Sequence, residues 1–344
     1  MNETSNLRFL LAERPEGRAV RETDFRLESA PLPQPAEGQL LLRTLFLSLD
    51  PYMRGRMSAA RSYAPPTEIG AVMTGEVVAE VMESRAAGFA QGDIVLAYAG
   101  WQQYAVLPAK ACEKIDRAAL GGLPLSYLLG ALGMPGGTAY FALDTIGKPK
   151  AGETVLISAA AGAVGQVAGQ IAKLAGCKVI ATAGAADKLD YVTKELGFDI
   201  GIDYKGKDAA ALSAELAQHA PQGIDVFFDN VGGVLHDAVM MNLALRARTI
   251  ICGSISSYDR LGQPDIGPRW NRHLLVKRAL VQGFLVGDHR ARWGEFRARM
   301  TEWLRSGRIK YREDIVDGIE AAPRAFIGLL AGANRGKLLV RVAR

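Results

Sequence analysis

Residues 153–188 have the sequence E-T-V-L-I-S-A-A-A-G-A-V-G-Q-V-A-G-Q-I-A-K-L-A-G-C-K-V-I-A-T-A-G-A-A-D-K. The first part, Thr154–Ser158, is a short apolar run with β-branched residues, which is typical of a buried strand. A glycine-containing turn follows, and apolar residues then recur at helical spacing from Val164 to Ala175. Gly176 ends this helical pattern, and Lys178–Ala183 is a second apolar run of strand length. The stretch therefore predicts a strand, a tight turn, a helix and a second strand.

The turn after the first predicted strand has small residues at the three positions of a dinucleotide-binding fingerprint, Ala160, Gly162 and Gly165. In such a turn the backbone approaches a pyrophosphate closely, and the free N–H groups of a helix N-terminus point at it. The strand, the turn and the second strand lie within one unit of about 30 residues, which strengthens the prediction. Two alternatives exist: close packing of a helix on a sheet, and a membrane span over the uncharged residues 154–172. The many glycines and alanines and the initial strand pattern disfavour the membrane alternative.

The length and composition predict a two-domain protein without a disulfide framework or a metal site. A chain of 344 residues exceeds one ordinary hydrophobic core, and 49% hydrophobic beside 22% charged residues is typical of a globular protein in water. The three cysteines, Cys112, Cys177 and Cys252, never have C-x-x-C spacing, and the four histidines show no H-E-x-x-H pattern. We find no signal-peptide core near the N-terminus, so we expect a cytoplasmic protein.

The net charge of +5 does not come from a single basic tract. The densest basic cluster lies between Arg269 and Arg308, where arginines alternate with Trp270, Trp293 and Trp303. Basic residues interleaved with aromatic ones occur on nucleic-acid-binding surfaces, but amphipathic helices with solvated arginine faces are the commoner cause. We therefore expect no nucleic-acid partner.

The first 125 residues carry strand-like runs, including Leu40–Leu47 and Ala71–Val81, between glycine turns. After the first of these runs comes L-S-L-D-P-Y-M-R, in which a proline interrupts regular structure and Asp50, Tyr52 and Arg54 stand close together. Loops that group polar and aromatic residues in this way often bind ligands. A plain turn with an Asp–Arg pair would have the same composition, so both alternatives stay open.

Further aromatic residues in this region are candidates for the walls of an apolar pocket. Tyr63 precedes two prolines in R-S-Y-A-P-P, and Tyr98, Trp101 and Tyr104 lie in L-A-Y-A-G-W-Q-Q-Y. Aromatic side chains line many ligand pockets, but packing inside a core is the commoner use of each one.

Strand and helix patterns alternate after Lys188. Strand-like runs occur at Ile200–Ile202, Ile224–Asp229 and Thr249–Cys252, with helical patterns before them. This alternation predicts a doubly wound parallel sheet, which binds ligands at the carboxyl ends of its strands. The segments expected at those ends are Ala159–Gly165, Ala183–Lys188, Asn230 and Gly253–Tyr258.

The end of the second predicted strand favours NADP over NAD. An NAD enzyme usually has a carboxylate there, about 20 residues after the glycine turn, to bind the adenosine ribose. Thr182, Ala183 and Gly184 stand at this place instead, and Lys188 follows where it would meet a 2′-phosphate. Asp187 is the one nearby acid, and we expect it to cap the following helix.

The residue types also favour one kind of hydride chemistry. The sequence shows no Ser-His-Asp constellation and no paired carboxylates, so the reaction chemistry would belong to the dinucleotide. A hydride added to a plain ketone gives an alkoxide that needs a strong Lewis acid or a proton donor. A hydride added to the β-carbon of an α,β-unsaturated carbonyl gives a delocalised enolate, which tyrosine hydroxyls stabilise. A tyrosine-rich region without metal ligands favours the second reaction.

Five motifs resemble the zinc-independent medium-chain dehydrogenase/reductases, specifically the group of prostaglandin reductases (leukotriene B4 12-hydroxydehydrogenases), plant double-bond reductases and bacterial curcumin reductase. They are L-S-L-D-P-Y-M-R at Leu47–Arg54, A-A-A-G-A-V-G at Ala159–Gly165, F-D-N-V-G-G at Phe228–Gly233, I-C-G-S-I-S-S-Y at Ile251–Tyr258 and N-R-G-K at Asn334–Lys337. The motifs follow the order of the family, and the resemblance covers essentially the whole chain. Zinc alcohol dehydrogenases of the same fold have Gly-His-Glu where this chain has Gly70-Ala71-Val72, so the ligand histidine is absent here.

The resemblance implies an α/β fold in which a Rossmann NADP-binding domain, residues 126–306, is inserted into a β-rich GroES-like substrate domain, residues 1–125 and 307–344. It implies a catalytic Tyr258 near the nicotinamide ribose and a catalytic Tyr63 near the substrate carbonyl, with Tyr52, Tyr98 and Trp101 as pocket walls. The residues that it implies for NADPH binding are Gly162, Ala163, Val164 and Gly165 at the pyrophosphate, Lys188 and Tyr204 at the 2′-phosphate, and Asn230, Cys252, Gly253, Ser254, Ile255, Ser256, Ser257, Tyr258, Phe284, Leu285, Val286 and Asn334 around the rest of the cofactor.

We therefore expect an NADPH-dependent reductase of the α,β double bond of enones and enals, with curcumin-like or 15-oxoprostaglandin-like substrates. Hydride would go to the β-carbon, and Tyr258 and Tyr63 would stabilise the enolate. The alternatives are an NADPH quinone oxidoreductase on the same fold and a non-enzymatic NADPH- or RNA-binding protein. The resemblance also implies a homodimer joined through edge strands of the Rossmann sheets, without metal and without membrane association.

Overall fold

The computed structural model describes residues 5–343, which form two compact units. Unit 1 consists of residues 5–129, 258–263 and 313–343, and unit 2 consists of residues 130–257 and 264–312. The segment 258–263 thus groups with unit 1, whereas the sequence-based domain boundaries assign it to the Rossmann domain. The assignment of substrate binding and cofactor binding to separate domains remains a prediction.

Regular elements fill both units. In chain order the strands are β1 (Ser5–Leu11), β2 (Phe25–Pro31), β3 (Gln39–Ser48), β4 (Val77–Ser84), β5 (Ile94–Ala97), β6 (Tyr104–Pro108), β7 (Cys112–Lys114), β8 (Thr154–Ile157), β9 (Lys178–Ala183), β10 (Ile200–Asp203), β11 (Ile224–Asp229), β12 (Leu243–Ile251), β13 (Leu280–Gly283), β14 (Glu313–Asp317) and β15 (Lys337–Arg341). The α-helices are α1 (Tyr52–Arg56), α2 (Met134–Ala142), α3 (Gly165–Leu174), α4 (Ala186–Asp190), α5 (Ala209–His219), α6 (Gly233–Met241), α7 (Asn271–Lys277), α8 (Trp293–Arg305) and α9 (Ala322–Leu330).

The sheet of unit 2 is parallel, with the strand order β10-β9-β8-β11-β12-β13. Strands β8 and β9 are covered on both faces, and this is why their sequences are continuously apolar rather than alternating. The chain builds outward from β8 in one direction through β9 and β10, and in the other through β11, β12 and β13. In such a sheet a crevice opens at the carboxyl ends where the direction changes, which here is between β8 and β11.

Helices pack on this sheet and form its core. Helices α5 and α6 contact each other, and Leu212 of α5 and Leu235 of α6 share a buried cluster with Leu156, Ile180 and Phe227 of the sheet. Helix α3 contacts β8, β9 and α2. The burial of these apolar side chains is the main stabilising contribution to unit 2.

Gly169 of α3, four residues after Gly165, serves packing inside unit 2. A Cβ atom on Gly169 would lie 2.1 Å from the ring of Phe198, so only glycine lets this ring approach the helix. Among residues 5–343, no helix combines the length and the apolar composition of a membrane span.

Unit 1 contains the two-stranded sheet β1-β2 and a seven-stranded sheet in the order β14-β15-β3-β4-β5-β7, in which β6 also pairs with β3. Strand β15 pairs antiparallel with β3 and parallel with β14. The carboxyl-terminal part of the chain therefore completes a sheet that the amino-terminal part begins, and the parallel sheet lies between them in the sequence. The predicted fold class, a doubly wound parallel sheet inserted into a β-rich domain, is confirmed.

The hydrophobic core of unit 1 surrounds Trp101. Its indole ring is fully buried, stacks on Phe25 with 5.0 Å between ring centroids, and meets Phe326 of α9 edge-on at 5.6 Å. Large buried rings in these arrangements contribute strongly to core packing. The structure therefore favours the packing alternative for Trp101 over a role in a pocket wall.

Candidate functional site

The turn between β8 and α3 is so narrow that it requires glycine. A Cβ atom on Gly165 would lie 2.4 Å from the carbonyl oxygen of Ala159, and a Cβ atom on Gly162 would lie 3.1 Å from the same oxygen. Ala159 itself has a φ angle of 48°, in the left-handed region. A tight turn of this kind at a helix N-terminus lets a pyrophosphate approach the backbone N–H groups, so these residues fit a dinucleotide.

Asn230 bridges the ends of β8 and β11, at the point where the strand order changes direction. Its side-chain amide donates to the carbonyl oxygen of Ser158 at 2.8 Å, and its backbone N–H donates to the Ser158 hydroxyl at 2.7 Å. The predicted cofactor residue Asn230 is therefore fixed at the crevice by Ser158, a residue that the sequence analysis did not select.

The carboxylate of Asp229, the last residue of β11, binds several groups next to Asn230. One carboxylate oxygen accepts hydrogen bonds from the backbone N–H groups of Val231 and Gly232, and the other lies 2.8 Å from Nδ1 of His236. The carboxylate is almost fully buried, and buried charges of this kind need several partners. The motif F-D-N-V-G-G alone does not indicate this role for its aspartate, because the histidine partner lies outside the motif.

The segment after β12 is bound to the segment after β11. The backbone N–H groups of Cys252 and Gly253 donate to the carbonyl oxygen of Asp229 at 2.8 and 3.0 Å. Farther along, the hydroxyl and the backbone N–H of Ser256 both donate to the carbonyl oxygen of Val231. The predicted cofactor residues Cys252–Ser257 are thereby brought next to Asn230.

The thiol of Cys252 is not a nucleophile in this setting. Burial raises its pKa to about 12, and the nearby carboxylate of Asp229 adds to the shift. At physiological pH the thiol is therefore neutral, and a neutral thiol is a weak nucleophile.

Residues Phe284–Val286 follow β13 at the same edge of the sheet. The backbone N–H of Phe284 donates to the carbonyl oxygen of Ile251 at 3.0 Å, and its buried ring stacks on His289. Leu285 is exposed. The carboxyl ends of β8, β11, β12 and β13 thus collect most of the predicted cofactor residues of unit 2.

The predicted 2′-phosphate residues follow neighbouring strands. Lys188 lies in α4 after β9, and Tyr204 follows β10, whose last residue pairs with the last residue of β9. Lys205 lies beside Gly184, whose Cβ atom would be 3.8 Å from the lysine side chain, and sequence analysis missed this additional cation. The prediction that Asp187 caps the helix is wrong, because Ala185 is the N-cap residue and Asp187 lies in the first turn.

Helix α1 of unit 1 carries Tyr52 and brings it near Tyr63. The guanidinium carbon of Arg56 lies 5.7 Å from the ring centroid of Tyr52 and 4.6 Å from that of Tyr63. The side chains of Tyr63 and Tyr98 are exposed, as residues available to a ligand would be.

The hydroxyl group of Tyr52 has an unusual environment. It is buried and has no hydrogen-bond partner within residues 5–343. Burial raises the pKa of this phenol well above its usual value, and the negative charge of Asp50 adds to the shift. The hydroxyl therefore stays protonated and remains a potential hydrogen-bond donor.

The Asp–Arg pair considered for the loop after β3 does not form between Asp50 and Arg54. The Asp50 carboxylate instead accepts from Nζ of Lys337 at 2.7 Å and from the hydroxyl of Ser48, with both ion-pair partners buried. Arg54 pairs with Asp259, with 3.7 Å between Nε and the carboxylate oxygen. The conspicuous N-R-G-K motif therefore contributes a buried lysine to unit 1.

Two predicted cofactor residues belong to unit 1. Tyr258 lies in the segment 258–263, and the side-chain amide of Asn334 donates to the carbonyl oxygen of Gly336 at 2.7 Å, just before β15. Their predicted roles toward the cofactor remain predictions.

In the part of the chain that the structure describes, residues 5–343, no cluster of three or more His, Cys, Asp or Glu side chains has an arrangement that could hold a metal ion.

Two family models match the chain. One, described as the N-terminal domain of oxidoreductase, matches residues 8–115, and the other, described as zinc-binding dehydrogenase, matches residues 163–306. The two matches fall largely in unit 1 and in unit 2, respectively.

The chain is similar to characterised proteins along almost its whole length. It is 47% identical to the NADPH-dependent curcumin reductase of Escherichia coli, over 98% of this chain and 97% of that protein. It is 42% identical to prostaglandin reductase 1 of Bos taurus, over 93% of this chain and 94% of that protein. The crystal structure of CurA in complex with NADPH from Vibrio vulnificus superposes with a TM-score of 0.90 at 47% identity, covering 98% of this chain and 99% of that one. The chain therefore belongs to the zinc-independent medium-chain dehydrogenase/reductase family, in the group of curcumin and prostaglandin reductases.

Proposed function

We propose that this protein reduces the α,β double bond of enones and enals with NADPH as the hydride donor. The observation that carries the proposal is a narrow turn at the carboxyl end of β8 that requires glycine at Gly165, combined in the same chain with a cluster of tyrosines on and near α1. The relatives named as curcumin reductase and prostaglandin reductase support this substrate class.

NADPH, when bound, supplies the hydride. Residues Gly162–Gly165 would hold its pyrophosphate, since a side chain at Gly165 would collide with the backbone. Lys188 and Tyr204 would bind the 2′-phosphate, and no acid follows β9 directly to repel it. The remaining residues proposed to surround the cofactor are Asn230, Cys252–Ser257, Tyr258, Phe284–Val286 and Asn334.

The phenol groups of Tyr258 and Tyr63 would donate hydrogen bonds to the carbonyl oxygen of the substrate. When a hydride reaches the β-carbon, negative charge spreads over the enolate and onto this oxygen, where preorganised donors stabilise it. A proton from water or from a tyrosine then completes the reaction at the α-carbon. Tyr52 and Tyr98 would line the apolar part of the site, whereas Trp101 would support it through core packing.

The proposal is tested by following NADPH consumption with a panel of enones and enals, a saturated ketone and a quinone. We expect turnover of the enones and enals and none of the saturated ketone. Tight NADPH binding without turnover of any enone would contradict the proposal. Turnover of the quinone alone would favour the quinone oxidoreductase alternative.

We also propose that the protein forms a homodimer in which the β13 strands of two copies pair. Strand β13 is an edge of its sheet, and all four of its residues are exposed. An exposed edge offers unpaired N–H and C=O groups to another strand. A cytoplasmic location remains a prediction from the sequence.

A further inference from the structure

Helix α1 (Tyr52–Arg56) carries two arginines that are almost entirely buried. Arg54 is 1% exposed and Arg56 is 9% exposed. Burying a guanidinium is costly unless its N–H groups find acceptors. Arg54 donates to the carbonyl oxygen of Pro15 at 2.6 Å, and Arg56 donates to that of Ala64 at 2.9 Å. The backbone of unit 1 therefore holds both guanidinium groups in place.

Arg56 holds the ring of Tyr63 from one side. Tyr63 is 63% exposed, and the guanidinium carbon of Arg56 lies over its ring, 4.6 Å from the ring centroid. A guanidinium over a tyrosine ring is attractive, and its planar shape suits stacking. The carbonyl oxygen of Arg56 also accepts from the backbone N–H of Thr67, so the segment that carries Tyr63 is attached to α1 at two points.

Arg54 holds the segment that carries Tyr258. Its Nε atom lies 3.7 Å from the carboxylate of Asp259, the residue directly after Tyr258. This Nε is buried and makes no hydrogen bond within residues 5–343, so the attraction to Asp259 is an ion pair. The far end of the segment lies close to Gly17, because a Cβ atom on Gly17 would be 2.9 Å from the side-chain amide nitrogen of Gln263.

The spacing R-G-R explains how one short helix reaches two separate segments. Helical residues two apart do not face each other, so Arg54 and Arg56 leave α1 in different directions. Arg54 extends to the segment 258–263, and Arg56 extends to the segment of Tyr63.

We propose that α1 is a positioning element for both candidate catalytic tyrosines: Arg56 orients the ring of Tyr63, and Arg54 fixes Tyr258 through Asp259. The inference rests on the proposed function in so far as these tyrosines bind the substrate oxygen. Neither arginine touches the substrate. Each acts only through the tyrosine that it holds.

The kinetic test uses substitutions that keep size or charge. Arg56→Lys keeps the charge and loses the planar stacking group, and Asp259→Asn removes the ion pair at constant size. We expect each to lower kcat for an enone about fivefold, the factor that corresponds to about 1 kcal/mol for one such contact, while the Kd for NADPH stays unchanged. Asp259→Glu, which keeps the charge, should retain most of the activity.

Double variants separate positioning from a general structural effect. If Arg56 acts through the Tyr63 hydroxyl, then Arg56→Lys should slow the wild-type enzyme but not a Tyr63→Phe variant. The same holds for Asp259→Asn in a Tyr258→Phe background. Fully multiplicative losses in both double variants would overturn the proposal.

A second measurement does not depend on turnover. Amide hydrogen exchange of the segments 61–67 and 258–263 should become about fivefold faster in Arg56→Lys and Asp259→Asn, respectively. The control is Arg43→Leu, which breaks the pair between Arg43 and Glu80 on neighbouring strands of unit 1 and should change neither segment. If no enone is turned over, the proposed function fails while this measurement still decides the positioning role; unchanged exchange in both variants would disprove it.

Discussion

The individual residues of the proposed site have to stabilise the negative charge that develops on one substrate oxygen. Two phenol groups, those of Tyr258 and Tyr63, are the proposed donors, and both tyrosines belong to unit 1. A neutral phenol donates a hydrogen bond without bringing a charge that would have to be desolvated. Removing single hydroxyl groups therefore tests this chemistry.

Replacing Tyr258 with Phe removes one hydrogen-bond donor and keeps the ring. Because removal of one donor to a developing oxyanion costs about 10²-fold in rate, we expect kcat for an enone to fall by about that factor. The Kd for NADPH should change little. Steady-state kinetics and a fluorescence titration with NADPH measure the two quantities.

Tyr140→Phe is the matched control, since the Tyr140 hydroxyl donates to Glu295 at 2.8 Å in unit 2 and has no part in the proposed site. Its kcat should equal that of the wild type. An unchanged kcat in Tyr258→Phe would remove that residue from the mechanism.

At the scale of elements, the junction of β8 and α3 decides whether a dinucleotide fits. Gly165→Ala would bring a Cβ atom to 2.4 Å from the Ala159 carbonyl oxygen, so the helix N-terminus must shift. We expect a loss of about 1–3 kcal/mol in the free energy of unfolding and at least about tenfold weaker NADPH binding. Urea denaturation and NADPH titration measure both.

Gly294→Ala is the control for this substitution, because Gly294 also lies near a helix N-terminus, in α8, but its Cβ atom would have open space around it. It should bind NADPH as the wild type does. Equal NADPH affinity in the two variants would show that the narrow turn is not the binding element.

A buried ion pair connects β15 to the loop after β3. Lys337→Met would leave the Asp50 carboxylate buried without its cation, and breaking such a pair typically costs 3–5 kcal/mol, so we expect a loss of about that size in the free energy of unfolding. The double variant with Asp50→Asn should recover part of the loss, because the buried charge is then gone. Urea denaturation followed by circular dichroism measures the change, and a loss below about 1 kcal/mol would contradict this role of Lys337.

The elements that sequence analysis predicted well are those that local patterns determine. Strands β8 and β9 and helix α3 were predicted within a residue or two, since an uninterrupted apolar run and a helical apolar repeat need no distant partner. Strand β12 begins six residues before the predicted start because Arg246 and Arg248 interrupt its apolar pattern. Arg248 is tolerated there because it pairs with Glu153 and donates to the carbonyl oxygen of Gly147.

The contacts that escaped prediction join residues far apart in the chain. Residues 71–81 are predicted to be strand-like with a turn point at Gly75, but β4 begins only at Val77, and the backbone N–H of Met73 donates to the carbonyl oxygen of Phe9 in β1. The partner of Asp50 is Lys337, and no pattern near Asp50 indicates it. Motifs thus indicate the proposed cofactor segments of unit 2, whereas the arginines and the lysine that contact the tyrosine-bearing segments became visible only in the folded structure.

At the scale of the whole molecule, the described residues start and finish in unit 1, and unit 2 is inserted between these two parts of the sequence. Strand β15 pairs with β3, and the residues of unit 2 lie between these two strands in the sequence. A long-range pairing of this kind closes a large loop and is entropically costly to form early in folding.

The proposed dimer is tested by placing a charge on the exposed edge strand. We expect light scattering to give twice the chain mass for the wild type and a monomer for Val281→Lys, because lysine on an edge strand opposes pairing with another strand. Leu27→Lys, at an exposed position of β2 in unit 1, is the control and should remain dimeric. A wild-type monomer, or a Val281→Lys dimer, would contradict pairing through β13.

Transfer of label from the cofactor tests the central claim most directly. The protein is incubated with an enone and with NADPH that carries deuterium at the transferred position, and the product is analysed by mass spectrometry and NMR. The account predicts a saturated ketone with one deuterium on the former β-carbon. Deuterium on the carbonyl carbon, with the double bond intact, would contradict it.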